Sequence, residues 1–400
     1  MYPRGGDCNV ALATADLLRR HGHEVRLYSM QYPDNLPLPD AADYASEVKF
    51  SGGIGSKLAA VKRTLGFDGK MKRDFRNLLR DFRPDVVHLH NIHSYLSPVI
   101  GEIAAHEHIR VVWTLHDYKL LCPAYSCRRP NGKNCEDCFQ GKLQVGRHRC
   151  MKGSVGASVI AHLEAARWHR FRLESFCSSF ICPSQFMASC MEKGGFDKSK
   201  LNVLVNFIDN NKIPAGRKEE DYFCYIGRLS GEKGVETLLK AAHTAGVKLI
   251  VAGDGPLLDK LREHYSTDPK ITFTGRLDAA GVAKVLTGAK ASVMPSEWYE
   301  NNPLGVIESL CAGVPVIGAD IAGIPELIRK PNTNTSTPNG HLYPPGDAAA
   351  LAKLLSTFSS EPFDSKAIAA DALQRFSPET HYQSLMRIYS PDYKPTFQKD

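Results

Sequence analysis

Apolar and polar positions fall into two rhythmic series, one on each side of a polar stretch near the middle of the chain. In the first series, residues 7–20 read as a helix with Val10, Ala13, Leu17 and Leu18 on one face and Gly22 as its stop. Apolar runs at 24–29, 85–90, 110–115 and 179–182 read as strands, and helical periodicity fills 57–82 (with a break point at Gly66), 97–106 and 155–176. Strand, helix, strand at this spacing predicts a parallel sheet covered on both faces. Residues 119–152 interrupt the rhythm with Cys, Gly, Pro and Asn and read as a long ordered insertion. Residues 203–220, rich in Asn, Asp, Lys, Pro and Gly, mark a linker.

The second series has strands at 222–226, 248–252, 271–274, 291–294 and 315–318, with helices at 234–245, 256–264, 279–287 and 304–312. Residues 329–340 read as a polar loop, and 377–389 as a last helix crossing back to the first domain. The expected fold is α/β, with two doubly wound Rossmann-like domains facing a cleft. The first spans 1–205, the second 206–376, and 377–400 carries the returning helix. Tyr2-Pro3-Arg4-Gly5-Gly6 reads as the glycine-rich turn after a first strand, yet no strand precedes it. That strand is central in a doubly wound sheet, so an upstream segment is expected to be missing.

Composition and charge change this picture in two places. The 400 residues, 43% hydrophobic and 23% charged, are those of a globular chain. No apolar run is long enough to span a bilayer and none at the N-terminus resembles a signal peptide, which predicts a cytoplasmic protein. The net charge of +7 is concentrated in 57–83, where nine Lys and Arg face three Asp. With Leu58, Val61, Leu65, Phe75, Leu78 and Leu79 this segment reads either as a solvated helix face or as a peripheral contact to an anionic membrane at its inner face. No nucleic-acid-binding motif accompanies the charge, so no nucleic-acid partner is expected. Five of the eleven cysteines crowd into the insertion. Cys135 and Cys138 have zinc-ligand spacing, and Cys122 and Cys150 would complete a four-thiolate structural site; reduced cysteines in a packed loop are the other reading.

Candidate chemistry lies in the second series. In 295–325, PSEWYENNPLGVIESLCAGVPVIGADIAGIP, Asn302 suits a helix N-cap and Pro303 the first helical position. Glu300 then stands on the loop before the helix and Glu308 more than one turn inside it. A helix N-terminus suits phosphate and carboxylates suit hydroxyls, the combination a nucleotide sugar offers. The same stretch also reads as a capped helix with two solvated glutamates. In 227–234, GRLSGEKG, Arg228 and Lys233 follow the first strand of the second domain among three glycines. A guanidinium fork and an ammonium at a strand's carboxyl end suit a diphosphate; two exposed surface cations are the plainer reading. Gly253-Asp-Gly255 is not a dinucleotide fingerprint, which argues against an NAD-dependent oxidoreductase.

In the order of G-R-x-x-x-E-K-G at 227–234, Val251-Ala-Gly-Asp-Gly-Pro256 and the Glu300/Glu308 pair, the chain resembles the retaining nucleotide-sugar glycosyltransferases of family 4, with the GT-B fold. The resemblance also takes in Pro3-Arg-Gly-Gly6, the His88/His90 strand and Leu115-His-Asp117, and so covers nearly the whole chain. It implies a bacterial enzyme moving a sugar from a nucleoside diphosphate sugar (UDP-, GDP- or ADP-linked) to a hydroxyl of a carbohydrate or lipid-linked acceptor, with no cofactor. The insertion resembles that of capsular or exopolysaccharide-type members. Arg228 and Lys233 would hold the diphosphate, Glu308 the ribose, Glu300 the transferred sugar, and the backbone near Leu277 the base. Asn301, Asn302 and Leu304 would offer backbone N–H groups, since Pro303 has none. Gly5 and Gly6 would let a first-domain loop approach the phosphates, and His116 would reach the transferred sugar across the cleft. No Asp-x-Asp element for a catalytic metal is present. A nucleotide-sugar epimerase of the same shape, or a binding protein without turnover, are the alternatives.

Overall fold

The computed structural model describes residues 5–36, 43–50, 52–209, 216–331, 337–360 and 363–390. Tyr2, Pro3 and Arg4 of the glycine-rich turn therefore lie outside the described residues, as does part of the linker. The chain divides into two compact units, Met1–Val205 with Tyr382–Asp400, and Asn206–His381.

In the first unit a parallel four-stranded ladder runs β3 (Val86–His90), β4 (Arg110–Thr114), β5 (Ser179–Cys182), β6 (Leu201–Val203). A separate parallel pair joins β1 (Tyr28–Met30) to β2 (Asp43–Ala45). Only the end of the 24–29 run is strand. The first helix is Gly6–Arg20, with Gly5 as its N-cap. The basic stretch forms two helices, Ile54–Thr64 and Gly69–Phe82. They part at Gly66, whose φ of +79° suits a residue without a side chain, and Asp68 caps the second by accepting from Met71 N at 3.0 Å. Met71, Phe75, Leu78 and Leu79 are core, so the apolar face of the second helix is not available to a membrane; Ile54, Leu58 and Phe67 remain exposed. The single helix expected at 155–176 is two, Val155–Arg167 and Arg170–Phe176. The indole of Trp168, buried at the break, donates to Thr64 O at 2.9 Å.

Arg63 is a buried hub of this unit, 1% exposed. Its guanidinium donates to Asp68 Oδ2 (2.8 Å), Ser46 O (2.8 Å), Ser46 Oγ (3.1 Å) and Tyr95 O (3.3 Å). The helix Pro378–Tyr389 belongs to the first unit from Tyr382 onward. Tyr382 Oη is 2.8 Å from His23 Nε2, Arg110 Nε donates to Ile388 O at 3.2 Å, and Tyr389 Oη is 2.7 Å from His88 Nδ1.

The proposed zinc site does not form. Among the described residues no three His, Cys, Asp or Glu side chains are placed to hold a metal ion, and all eleven cysteines are free. Cys122 turns to Cys127, not to Cys135, Cys138 or Cys150. The Cys127 thiol, with backbone N–H groups of Cys127 and Ala124, brings the Cys122 thiol down to about 7. Ordinary polar contacts hold the insertion instead. Cys135 N donates to Cys127 O at 2.7 Å, and Lys142 Nζ donates to Leu121 O (2.6 Å) and Cys138 O (2.9 Å).

The second unit holds a six-stranded parallel sheet in the order β12-β11-β10-β7-β8-β9. Its strands are β7 (Phe223–Ile226), β8 (Leu249–Ala252), β9 (Ile271–Gly275), β10 (Ala291–Met294), β11 (Val316–Ala319) and β12 (Gly340–Tyr343). The last of these was not expected, because it is only four residues long and begins where the polar loop 329–340 ends. From β7 the chain winds outward through β8 and β9, then returns to β10 beside β7 and winds the other way. The switch point lies between the carboxyl ends of β7 and β10, where an open α/β sheet takes its ligands.

Candidate active site at the switch point of the second sheet

Two loops meet at that switch point. The first follows β7 and ends at Gly234, whose φ is +66° and where a Cβ would stand 1.9 Å from Pro295 O. No other residue lets this loop lie against the one after β10. Glu297 N donates to Glu232 O at 2.9 Å, and Thr237 Oγ1 donates to Glu297 Oε1 at 2.5 Å, closing the same seam. The glycines after β8 serve a parallel end. A Cβ at Gly253 would stand 1.9 Å from Gly227 O, and Leu229 N donates to Asp254 O at 2.9 Å.

The seam brings Lys233 and Glu300 together. Lys233 Nζ lies 2.6 Å from Glu300 Oε1, and the same oxygen accepts from Ser296 Oγ (2.7 Å) and Trp298 Nε1 (2.9 Å). Glu300 Oε2 has no partner among the described residues. Burial alone would raise the Glu300 carboxyl. The Lys233 charge and hydrogen bond, with those of Trp298 and Ser296, outweigh it and hold the group below its ordinary value. The ammonium also lies 5.1 Å from the Trp298 ring centre. Arg228 is exposed and its side chain has no partner among the described residues. Its carbonyl accepts from the buried Tyr225 hydroxyl at 2.7 Å, which fixes the backbone from which it projects.

The helix after Glu300 is Leu304–Cys311, and its N-cap is Pro303, not Asn302. Asn302 is drawn back by Asn206: its Oδ1 accepts from Asn206 N and its carbonyl from Asn206 Nδ2, both at 2.9 Å. A proline cap offers no side-chain acceptor, so the first amides of the helix, Leu304 among them, are left for another partner. Asn301 lies on the loop just before, fixed from behind by Gly323, where a Cβ would stand 1.7 Å from Asn301 O. Glu308 is half-buried one turn along the helix, and Leu277 is half-buried just after β9, at the same edge of the sheet.

The first-unit candidates form a separate cluster at the ends of β3 and β4. His90 Nδ1 is 2.9 Å from His116 Nε2, His88 Nε2 is 2.7 Å from Thr114 Oγ1, and His93 Nε2 is 3.6 Å from Asp117 Oδ1. Burial lowers the His116 imidazole below its ordinary value, with His93 acting the same way and Asp7 and Asp117 opposing. Gly5 and Gly6 open the helix that carries Asp7, which accepts from Asn91 Nδ2.

Ser296, Trp298, Thr237 and Asn206 were not singled out from sequence. Ser296 and Trp298 sit inside the stretch 295–325, but residue type gave no sign that both side chains converge on one carboxylate oxygen.

The chain is similar to known proteins over most of its length. Residues 4–212 match the family Glycosyltransferase Family 4, and residues 207–375 match Glycosyl transferases group 1. The GDP-mannose-dependent alpha-mannosyltransferase of Corynebacterium glutamicum is 32% identical over 346 residues, 81% of this chain and 71% of that protein. The phosphatidyl-myo-inositol mannosyltransferase of Mycobacterium leprae is 24% identical over 402 residues, 96% of this chain and 92% of that one. In fold the chain is similar to the sucrose-phosphate synthase of Thermosynechococcus elongatus, with a TM-score of 0.66 at 17% identity over 97% of this chain and 93% of that one. The chain belongs to glycosyltransferase family 4, an enzyme of the GT-B fold whose second unit is a group 1 glycosyltransferase domain.

Proposed function

We propose that this glycosyltransferase takes a sugar from a nucleoside diphosphate sugar and passes it, with retention of anomeric configuration, to a hydroxyl of a carbohydrate or lipid-linked acceptor in cell-surface polysaccharide or glycolipid synthesis. The observation that carries the reading is the Lys233–Glu300 pair beside an uncapped helix end at the sheet's switch point. Breaking a glycosyl–phosphate bond builds negative charge on the departing diphosphate. Lys233, Arg228 and the amides around Asn301, Asn302 and Leu304 are preorganised positive groups for it. Glu300 Oε2 accepts from a hydroxyl of the transferred sugar, Glu308 from the ribose, and the backbone near Leu277 meets the base. From the family resemblance alone, Gly5 and Gly6 admit the phosphates and His116 is the first unit's contact to the sugar. The names of the two relatives support a nucleotide-sugar donor and a lipid acceptor.

Thermal unfolding with UDP, GDP, ADP and NAD tests the donor. One nucleoside diphosphate is expected to raise the melting temperature, because a ligand at 100 times its Kd stabilises by about 2.7 kcal/mol; NAD binding more tightly than all three would overturn the reading. Retention shows in the proton NMR coupling of the product's anomeric hydrogen, and an inverted product would sink it.

Among the described residues no helix is long and apolar enough to cross a membrane. Exposed Ile54, Leu58 and Phe67 beside Lys57 and Lys62 support peripheral contact with an anionic surface. The chain is expected to sediment with phosphatidylglycerol vesicles and not with phosphatidylcholine ones, and Leu58→Glu to weaken this. Equal recovery on both vesicles would remove the membrane from the proposal.

A further inference from the structure

His88 and His90 alternate on β3, so both side chains leave the same face of the ladder. The register pairs His88 with Val112 and His90 with Thr114. Each histidine nevertheless bonds to the residue two places further along, His88 to Thr114 and His90 to His116. The same diagonal step is thus used twice, and the second use lands two residues beyond β4. The His88 and His90 rings are tilted at 44° with centroids 4.1 Å apart, and the His90 and His116 centroids are 5.2 Å apart at 28°. His88 is fixed from behind by the Tyr389 hydroxyl. His90 is therefore backed by a ring that is itself held on two sides.

Two imidazoles joined nitrogen to nitrogen must share one proton along that line: one ring donates and the other accepts. We infer that His90 is a positioning residue for the transfer reaction, donating from Nδ1 to Nε2 of His116. This fixes the ring plane and the tautomer in which His116 Nδ1 carries the hydrogen and faces ligand. It rests on the reading above that His116 meets the transferred sugar. With Nε2 occupied as an acceptor, His116 takes a second proton only if the bond breaks or His90 gives up the donor role by changing tautomer. His90 therefore keeps His116 neutral, in the same direction as its burial. Among the described residues, the other groups facing His116 are Asp7 on the first helix, His93 on the short helix His93–Leu96, and Asp117 next in the chain, whose Oδ1 also accepts from Lys119 N at 2.8 Å. Asp7 and Asp117 favour the charged form, so loss of the His90 donor moves His116 toward imidazolium while burial still opposes it.

The test follows the His116 imidazole by NMR in the full chain with carbon-labelled histidine, its signal identified by loss in His116→Gln. In His90→Phe, which can neither donate nor accept, the His116 titration moves to higher pH. In His90→Asn, whose amide nitrogen stands near the Nδ1 position, it returns toward the wild-type position. Release of nucleoside diphosphate from a panel of UDP-glucose, GDP-mannose and ADP-glucose is then measured against pH. His90→Phe lowers turnover by up to about a hundredfold, the scale of a small misplacement, and moves the acidic limb with the NMR titration. If the phenylalanine variant does not fold, His90→Gln, whose amide lies at the other ring position, is used and the same upward shift is expected. An unmoved or downward-moving titration overturns the pairing, whatever the enzyme transfers. A titration that moves while the limb of turnover stays fixed overturns the part played by the pair in the reaction. A wild-type titration in His90→Phe with turnover lowered equally at every pH marks an ordinary packing contact and likewise ends the proposal.

Discussion

Lys233→Ala is expected to reduce sugar transfer about 10²–10³-fold, equivalent to about 2.7–4 kcal/mol of lost transition-state stabilisation. The ammonium is placed to meet charge that appears only as the glycosyl–phosphate bond opens. Its loss is therefore expected mainly in kcat, with a smaller change in donor KM. The variant has a second consequence. Glu300 is 8% exposed, and Lys233 is the one charged donor on its Oε1; Ser296 and Trp298 are neutral. Without the lysine, burial acts on the carboxylate almost unopposed, and its proton affinity rises. The activity that remains should accordingly move to higher pH. Glu300→Gln in the Lys233→Ala background separates the two losses. If the residues act as a unit, the double variant costs less than the sum of the single ones. Initial rates with the panel of nucleotide sugars measure all three. Transfer by Lys233→Ala within about tenfold of wild type would falsify the leaving-group role.

Arg63→Ala carries the largest expected effect on stability, a loss of about 3–5 kcal/mol, the cost of breaking a buried charged pair by removing one partner. Arg63 binds two helices, the residue after β2 and the short helix His93–Leu96 through a single guanidinium. Alanine leaves two carbonyls and the Asp68 carboxylate without their donor. Arg63→Lys keeps the charge but not the planar fork, and should recover only part of the loss. Urea unfolding of the first unit measures both. The pH dependence has a definite sign. Burial opposes ionisation of Asp68, but the Met71 N–H and Arg63 outweigh it, and the folded carboxyl lies below its ordinary value. Its contribution is therefore fully present above the unfolded value of about 3.9 and lost as pH falls through the folded one. A loss under about 1 kcal/mol in Arg63→Ala would show that water replaces the guanidinium without penalty.

The parts of the fold written as periodicity were legible in the sequence. Ser179–Cys182 and Ala291–Met294 carry continuous apolar runs, and their bounds coincide with the predicted ones. The elements that were missed are short or defined by tertiary contacts. Gly340–Tyr343 and Leu201–Val203 are strands because a neighbour supplies the ladder, and nothing in four or three residues announces that. The break near Trp168 follows from a hydrogen bond to a helix about a hundred residues away. At the candidate site, residue types and order pointed to Lys233 and Glu300 separately. That they touch depends on Gly234 lying against Pro295, a steric fact visible only in three dimensions. The cap of the following helix was misplaced by one residue because Asn302, a good cap by type, is engaged by Asn206. The cysteine spacing suggested a metal, yet pair spacing constrains only two of the four ligands that a zinc site needs.

The three bonds that tie the final helix to the first unit also set an order of events. His88 and Tyr389 are separated by 301 positions, Arg110 and Ile388 by 278, and His23 and Tyr382 by 359. During synthesis the residues of the second unit are joined before Tyr382, Ile388 and Tyr389 are added. The first unit, though most of it is made earlier, gains these three contacts only when the last part of the chain is present. The contact of His88 with Tyr389 is therefore available only after the residues around Lys233 and Glu300 have been made.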